Sequence, residues 1–294
     1  MMSQISSTLV SSQGFEYGVK HFANITAGLL VELISAALEK APTEVHALLI
    51  LGAIYVNNQR QNTNSLIQAG QVIRVHTKPR RYNCDFDWRA LIVFENEDFV
   101  VLNKPSGIPS HPSVDNKIEN ALTQLSTAIK SSLLITHRLD TLTSGIIVYA
   151  KTNHFVRAFN LQLQNHHIEK KYCALVETSR ELPAKLIHYM QPSPRAPKKV
   201  SPSLIDTWVF CELDIQNQKK MGAMTWVKIN LLTGRTHQIR AQFSEIGAPI
   251  VGDSLYGAKT SFKTDAIALR ACELQFNWAG QLMHFKLDED FKES

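Results

Sequence analysis

His137-Arg138-Leu139-Asp140-Thr141-Leu142-Thr143-Ser144-Gly145-Ile146-Ile147-Val148-Tyr149-Ala150 changes character at its glycine. Before Gly145 the stretch is polar and reads as a loop. After it, an unbroken apolar run reads as a buried strand. A carboxylate held where a loop meets such a strand is placed to face a cleft, which makes Asp140 a candidate for chemistry. Asp residues in loops of this kind more often cap or hydrogen-bond the backbone. The position alone therefore does not assign a role.

Outward from this stretch, short strands dominate. Leu91-Ile92-Val93-Phe94 and Phe99-Val100-Val101-Leu102 are split by the polar turn Glu95-Asn96-Glu97-Asp98, and Lys104-Pro105-Ser106-Gly107 makes a further turn. Helices are expected from about 118 to 128 and near 154–164, and a strand over 171–176. Regular βαβ alternation is missing. The expected fold class is α+β, a mixed and largely antiparallel sheet flanked by helices, over residues 89–290. Between Pro192 and Lys220 no familiar pattern emerges, and an insertion or loops are expected. Its Arg195, Lys198, Lys199, Lys219 and Lys220 are equally compatible with RNA contact and with an ordinary solvated loop.

Residues 15–78 separate as a small N-terminal α/β module. Leu29, Leu30, Leu33, Ile34, Ala37 and Leu38 recur at helical spacing, Pro42 interrupts, and a second short helix stops at Gly52. A strand running into Val56-Asn57-Asn58 and the closing strand Gln71-Val72-Ile73-Arg74-Val75 complete it. This order resembles the αL RNA-binding motif, and Arg74 becomes a candidate RNA contact. Residues 79–88, opening with Pro79-Arg80-Arg81, read as a basic linker, either a solvated hinge or a phosphate contact.

The 294 residues are 44% apolar and 19% charged, an ordinary globular balance. No apolar run approaches the roughly 18 residues that a membrane span requires. The Ser-rich stretch Met1–Gly14 lacks the basic start and apolar core of a secretory signal, so a cytoplasmic location is expected. Cys84, Cys173, Cys211 and Cys272 are far apart in sequence and show neither metal-ligand spacing nor a disulfide framework. The formal charge of +5 favours an anionic partner without naming one.

A second motif is Leu231-Leu232-Thr233-Gly234-Arg235-Thr236-His237-Gln238-Ile239-Arg240, a glycine turn followed by two arginines able to grip carboxylates or phosphates in two-pronged fashion. Gly252 through Gly257-Ala258-Lys259-Thr260 mimics a phosphate-binding loop but has one residue too many before the lysine. Nucleotide hydrolysis is not expected from it.

Taken in order, His137-Arg138-Leu139-Asp140, Thr143-Ser144-Gly145, Glu169-Lys170-Lys171-Tyr172, Gly234 to Arg240, and Gly252-Asp253 with Tyr256-Gly257 closely resemble the RluA-type family of pseudouridine synthases. Leu102 to Gly107 and His111-Pro112 fit the same family. The resemblance implies an isomerase that detaches uracil from ribose in ribosomal or transfer RNA and rejoins it through carbon. It implies Asp140 as the catalytic carboxylate, Tyr172 as the ring stacked on uracil, and Arg240 as the partner of Asp140. It implies Arg138, His137, Arg235 and Lys104 as RNA or substrate contacts. No metal, redox cofactor or nucleotide is called for, and a monomer is expected. Arg270 stands where the family usually has His.

Two other functions compete. One is a non-catalytic RNA-binding or ribosome-assembly factor on the same fold. The other is a glycoside or nucleoside hydrolase, which needs a second carboxylate opposite Asp140. Asp253 is the nearest motif residue for that.

Overall fold

The computed structural model describes residues 9–11, 18–289 and 291. Most of the Ser-rich N-terminal stretch, the module's first residues Phe15 to Tyr17, and the terminal boundary at Asp290 lie outside the described residues. The chain divides into two compact units: residues 1–84 with 111–124, and residues 85–110 with 125–294.

In the first unit, β1 (Leu9–Ser11), β2 (Val19–Ala23), β3 (Gly28–Leu29), α1 (Leu30–Leu38), α2 (Pro42–Leu51), β4 (Ile54–Val56), β5 (Gln59–Arg60), β6 (Leu66–Ile67) and β7 (Val72–His76) follow in order. The main sheet runs β1-β2-β7-β4-β5, and β3 pairs with β6. Helical spacing in α1 brings Leu30, Val31 and Ile34 to one buried face, which packs with Val45, Leu48 and Leu49 of α2 over Phe22, Ile54, Ile73 and Val75 of the sheet. Pro42 starts α2, where its missing N–H costs nothing, and Gly52 ends it at φ +71°, its N–H returning to Leu48 and Leu49 carbonyls. The hairpin from β4 to β5 turns on Asn57 and Asn58 at φ +47° and +64°, the left-handed pair a tight two-residue turn requires.

Residues 111–124 fold with this unit, although the sequence boundaries assign them to the larger domain. They also hold the expected linker. The Arg80 guanidinium grips the fully buried Asp115 at 2.7 Å, Arg81 grips Glu119 at 2.6 Å, and Asn116 Nδ2 donates to the Arg80 carbonyl at 2.9 Å. The basic pair is thus engaged by two carboxylates, while the Arg81 side chain stays largely exposed. Burial disfavours the Asp115 charge. Hydrogen bonds from the Arg80 side chain and backbone and from Ser113 outweigh that and hold its carboxyl well below the usual range.

The second unit contains β8 (Ile92–Glu95), β9 (Phe99–Lys104), β10 (Leu134–Ile135), β11 (Ser144–Ala150), β12 (Glu169–Val176), β13 (Lys185–Met190), β14 (Val200–Ser201), β15 (Val209–Met221), β16 (Met224–Leu231), β17 (Leu269–Trp278) and β18 (Gln281–Lys286). Helix α3 (Ala121–Ile129) carries the chain from the first unit into the second; α4 (Asn153–Gln164) and α5 (Gln238–Glu245) lie in the second. One sheet runs β14-β13-β15-β16-β12-β17-β11-β9-β8, with β10 on β11 and β18 on β17. Among the described strands every pairing is antiparallel except β11 with β17. Phe155 and Phe159 of α4 pack on Phe99, Phe276 and Phe285, forming an aromatic core on one face of the sheet.

The stretch from 192 to 220 is not simply loop. Val209–Met221 forms one of the longest strands of the sheet, with Cys211, Leu213 and Ile215 buried in alternation. That period-two signal is present in the sequence but short, and the polar run Gln216 to Lys220 conceals it.

Asp115→Ala leaves the Arg80 guanidinium without its buried partner and is expected to destabilise the protein by about 2 kcal/mol, less than for a wholly enclosed pair because Arg80 is partly exposed. Because the folded carboxyl is depressed, wild-type stability from this pair is present above the unfolded carboxylate range and lost as pH falls. Chemical denaturation of both forms at neutral pH and in acid measures it; equal midpoints would show that the pair holds nothing.

Candidate active site

The parallel junction builds the site. Gly145 on β11 lies opposite Ala271 on β17, and Ala271 lies opposite Tyr172 on β12, so the three form a row across adjacent strands. At Gly145, with φ +109°, a Cβ would stand 2.1 Å from the Ala271 carbonyl oxygen, so only glycine permits this approach. Two strand spacings separate Gly145 from Tyr172, about 10 Å. The intervening Gly145 and Ala271 contribute almost no side chain between the tyrosine and the loop entering β11.

That loop carries Asp140 and is fastened from several sides. Ser110 Oγ donates to the Leu139 carbonyl at 2.7 Å and accepts the Leu139 N–H at 3.0 Å, while Tyr149 Oη donates to the Ser110 carbonyl at 2.7 Å. Thr136 Oγ1 donates to the Val148 carbonyl at 2.6 Å. His137 Nε2 accepts the Val148 N–H at 3.1 Å, and its ring stacks on Phe159. Burial, with the charge of Lys170, lowers the His137 pKa to about 3. His137 is therefore a neutral anchor of the loop, and its accepting nitrogen is not free for RNA.

Lys104 is likewise interior. It is fully buried, and its ammonium donates to the carbonyls of Pro105 (2.7 Å), Ile108 (2.8 Å) and Thr141 (3.4 Å). The family resemblance implies an RNA or substrate contact for Lys104, whereas its ammonium is held in the interior. Burial pulls its pKa down to about 7, and the charge of Asp140 pulls the other way. Lys104 fastens the turn after β9 to the Asp140 loop and adds positive charge beneath it.

Arg240, on α5, is held from two directions. Its Nε and Nη2 donate to Asp253 Oδ2 and Oδ1 at 2.6 and 2.9 Å, and its Nη1 reaches Asp140 Oδ2 at 3.4 Å. The Tyr256 ring lies 4.9 Å from the guanidinium carbon. Tyr256 Oη also accepts the Lys198 N–H at 2.8 Å and lies 3.0 Å from His237 Nδ1, while His237 Nε2 is 3.8 Å from Asp140 Oδ2. Burial lowers the His237 pKa and Asp140 partly opposes it. Sequence reasoning quoted Asp253, Tyr256 and His237 inside their motifs without seeing that all three converge on the Arg240–Asp140 pair.

Tyr172 is buried, and that burial, reinforced by the charge of Asp140, raises its phenol well above the usual value. The ring is neutral at physiological pH. Arg138 is exposed and donates to Thr236 Oγ1 at 3.3 Å, next to the exposed Arg235. Asp140, Tyr172, Arg240, Arg138 and Arg235 all belong to the second unit. Arg74 belongs to the first, where it lies 4.1 Å over the Tyr55 ring.

Residues 98–245 match the family model described as RNA pseudouridylate synthase. A protein of Mycoplasma genitalium named as an uncharacterized RNA pseudouridine synthase is 30% identical over 259 residues, 82% of either chain. The chain belongs to the RNA pseudouridylate synthase family.

Other pseudouridylate synthases are similar to it. A protein of Arabidopsis thaliana named as a chloroplastic RNA pseudouridine synthase is 36% identical over 221 residues, covering 66% of this chain and 46% of that one. The chain thus spans about half the length of this plant relative. The ribosomal large subunit pseudouridine synthase C of Buchnera aphidicola is 28% identical over 83% of each chain. A solved human structure, RNA pseudouridylate synthase domain containing 4, shares the fold with a TM-score of 0.56 at 21% identity, covering 68% of this chain and 90% of that one.

Two motif readings, a hydrolase carboxylate at Asp253 and a phosphate loop at Gly252 to Thr260, find no support in the geometry. Asp253, the carboxylate a hydrolase would need opposite Asp140, is almost fully enclosed and takes both prongs of Arg240. The phosphate-loop mimic already holds an anion of its own, because the Lys259 and Thr260 N–H groups donate to the Glu177 carboxylate. No helix among the described residues is long and apolar enough to cross a membrane.

Asp253→Asn removes the charge that fixes Arg240 while leaving Asp140 in place. It is expected to lower kcat by about 10- to 100-fold with KM little changed, since the partner of the carboxylate loosens but the RNA surface stays. Steady-state kinetics on a modified-site RNA would check this, and a change in KM alone would contradict it. Lys104→Met tests the buried amine. With its folded pKa below the unfolded value, wild-type stability rises between about pH 7 and pH 10, and the methionine variant is expected to lose that rise in denaturation curves.

Proposed function

We propose that the protein isomerises specific uridines of structured RNA to pseudouridine, with Asp140 as the catalytic carboxylate. The observation that carries this is the Asp140 carboxylate held by Arg240, close enough to the neutral ring of Tyr172 for its charge to act on the phenol. A uridine extruded from its stack, at a cost of a few kcal/mol, would lie with its base on Tyr172 and its sugar at Asp140. Arg240 keeps Asp140 ionised as the base excludes water. The carboxylate then either attacks the sugar or removes a sugar proton, and in both cases the glycosidic bond breaks. Because the freed uracil is confined, it turns and rejoins through carbon instead of leaving an abasic site. Arg138 and Arg235, exposed at the rim, would meet phosphates beside the target.

Ribosomal RNA is the favoured substrate class, by analogy with relatives named as ribosomal large subunit enzymes, and transfer RNA is the alternative. The N-terminal unit is proposed to bind RNA in the manner of an αL motif, with Arg74 among its contacts. The proposal includes a cytoplasmic, monomeric enzyme; size-exclusion chromatography giving a single species near 33.1 kDa would agree with the second point.

The decisive experiment is complementation of a gene-deletion strain with wild type or Asp140→Asn, read by carbodiimide and primer extension across ribosomal and transfer RNA. Wild type is expected to restore the missing pseudouridine, and the variant to fall by roughly a thousandfold or more in rate on purified RNA. Equal restoration by the variant would remove Asp140 from the chemistry. RNA binding with no isomerisation by either form would favour an assembly factor, and release of free uracil would favour a hydrolase.

A further inference from the structure

Cys173 and Cys272, which sequence spacing leaves unrelated, touch in the fold. Their sulfurs lie 2.9 Å apart although the residues are 99 positions apart, and both are fully buried. The Cys173 thiol donates to Cys272 Sγ, whose own S–H donates to the Lys171 carbonyl at 3.5 Å. The pair sits at the irregularity in the pairing of β12 with β17, between Lys171 and Tyr172. Each cysteine directly follows a residue of the active-site row, Cys173 after Tyr172 and Cys272 after Ala271.

Charges of both signs surround the sulfurs, with Glu273 and Glu289 opposing loss of the Cys272 proton. Arg270 lies opposite Cys173 on one neighbouring strand and Lys228 lies opposite it on the other, so the register puts a cation on each side. Arg270, the departure from the family's usual His, has a buried Nε without a hydrogen-bond partner among the described residues. Donation from Cys173 holds the Cys272 thiol below its usual value against the effect of burial. Glu289 places a carboxylate close to both sulfurs, a donor set that could hold a metal ion. Lys228 already pairs with that carboxylate at 2.6 Å, however, and its ammonium would repel an added cation.

We infer that Cys173 and Cys272 are a redox modification site, at which a small hydroperoxide joins the two thiols in a disulfide linking β12 to β17 next to Tyr172. The Cys272 sulfur attacks one peroxide oxygen as its own proton passes to the departing oxygen, the O–O bond breaks, and a sulfenic acid forms with release of water. Cys173 Sγ then attacks Cys272 Sγ, the S–O bond breaks, and the hydroxyl leaves with the Cys173 proton as a second water. Two thiols and one hydrogen peroxide thus become one disulfide and two waters. The oxidant must be small because neither sulfur is exposed. The new bond fixes the strand irregularity on whose other side Tyr172 stands, so the cross-link lowers turnover. That last consequence rests on the isomerase function; the cross-link itself does not.

The test treats the reduced full-length protein with hydrogen peroxide, alkylates it under denaturing conditions, digests it and maps the peptides by mass spectrometry. The expected product is one linked pair containing Cys173 and Cys272, two hydrogens lighter than the free peptides and cleaved by dithiothreitol, with Cys84 and Cys211 alkylated singly. Turnover on RNA is expected to fall severalfold with the cross-link and recover with dithiothreitol, and Cys272→Ser is expected to keep turnover through the same treatment. Recovery of both cysteines as separately alkylated peptides would overturn the inference without touching the isomerase assignment. So would stoichiometric zinc binding by the reduced protein that shields both thiols. A complete cross-link with unchanged turnover would overturn the coupling to Tyr172.

Discussion

The site depends on one cation shared by two carboxylates. Arg240 gives two of its nitrogens to Asp253 and one to Asp140, with the aspartate at 253 almost wholly enclosed and the one at 140 partly open. Taking these charges out of water costs several kcal/mol per ion, and only two-pronged geometry offsets that. Asp253 meets that condition. Asp140 does not, since its single contact is long, and it remains the carboxylate with capacity left for a substrate. The unequal division separates an enclosed acid from a partly open one.

Charge balance extends the same constraint downward. Two aspartates around one arginine leave the cluster short of positive charge, and the buried Lys104, its pKa pulled down to about 7, supplies part of it without reaching solvent. Its ammonium is held by three carbonyls, one of them that of Thr141, the residue after Asp140. A lysine at a surface would be free to move; this one fixes the turn after β9 to the Asp140 loop. His137 acts similarly from the side, and its role follows from the backbone N–H it accepts.

Much of this was legible in the sequence because it is written in local strings. Asp140 before Gly145, Tyr172 after two lysines and Arg240 at the end of its motif each carry their signal within a few residues. What could not be read depends on register. The Lys104 string suggests a surface turn, and only the strand pairing of β9 with β11 shows that its side chain points inward. The membership of residues 111–124 in the first unit follows from Asp115 and Glu119 meeting Arg80 and Arg81, contacts that span more than thirty positions. Val209–Met221 failed to read as a strand because its alternation ends halfway along.

Register also explains why two chemistries lie so close together. Along a strand, successive side chains point to opposite faces, so Tyr172 and Cys173 serve different sides of the same sheet. Ala271 and Cys272 repeat the step on β17. The residues on one face are small, while the sulfurs on the other lie where the pairing slips between Lys171 and Tyr172. The backbone at that slip belongs to both faces at once. A change in its geometry on the sulfur side must be absorbed on the tyrosine side, where Gly145 already stands too close to Ala271 to yield.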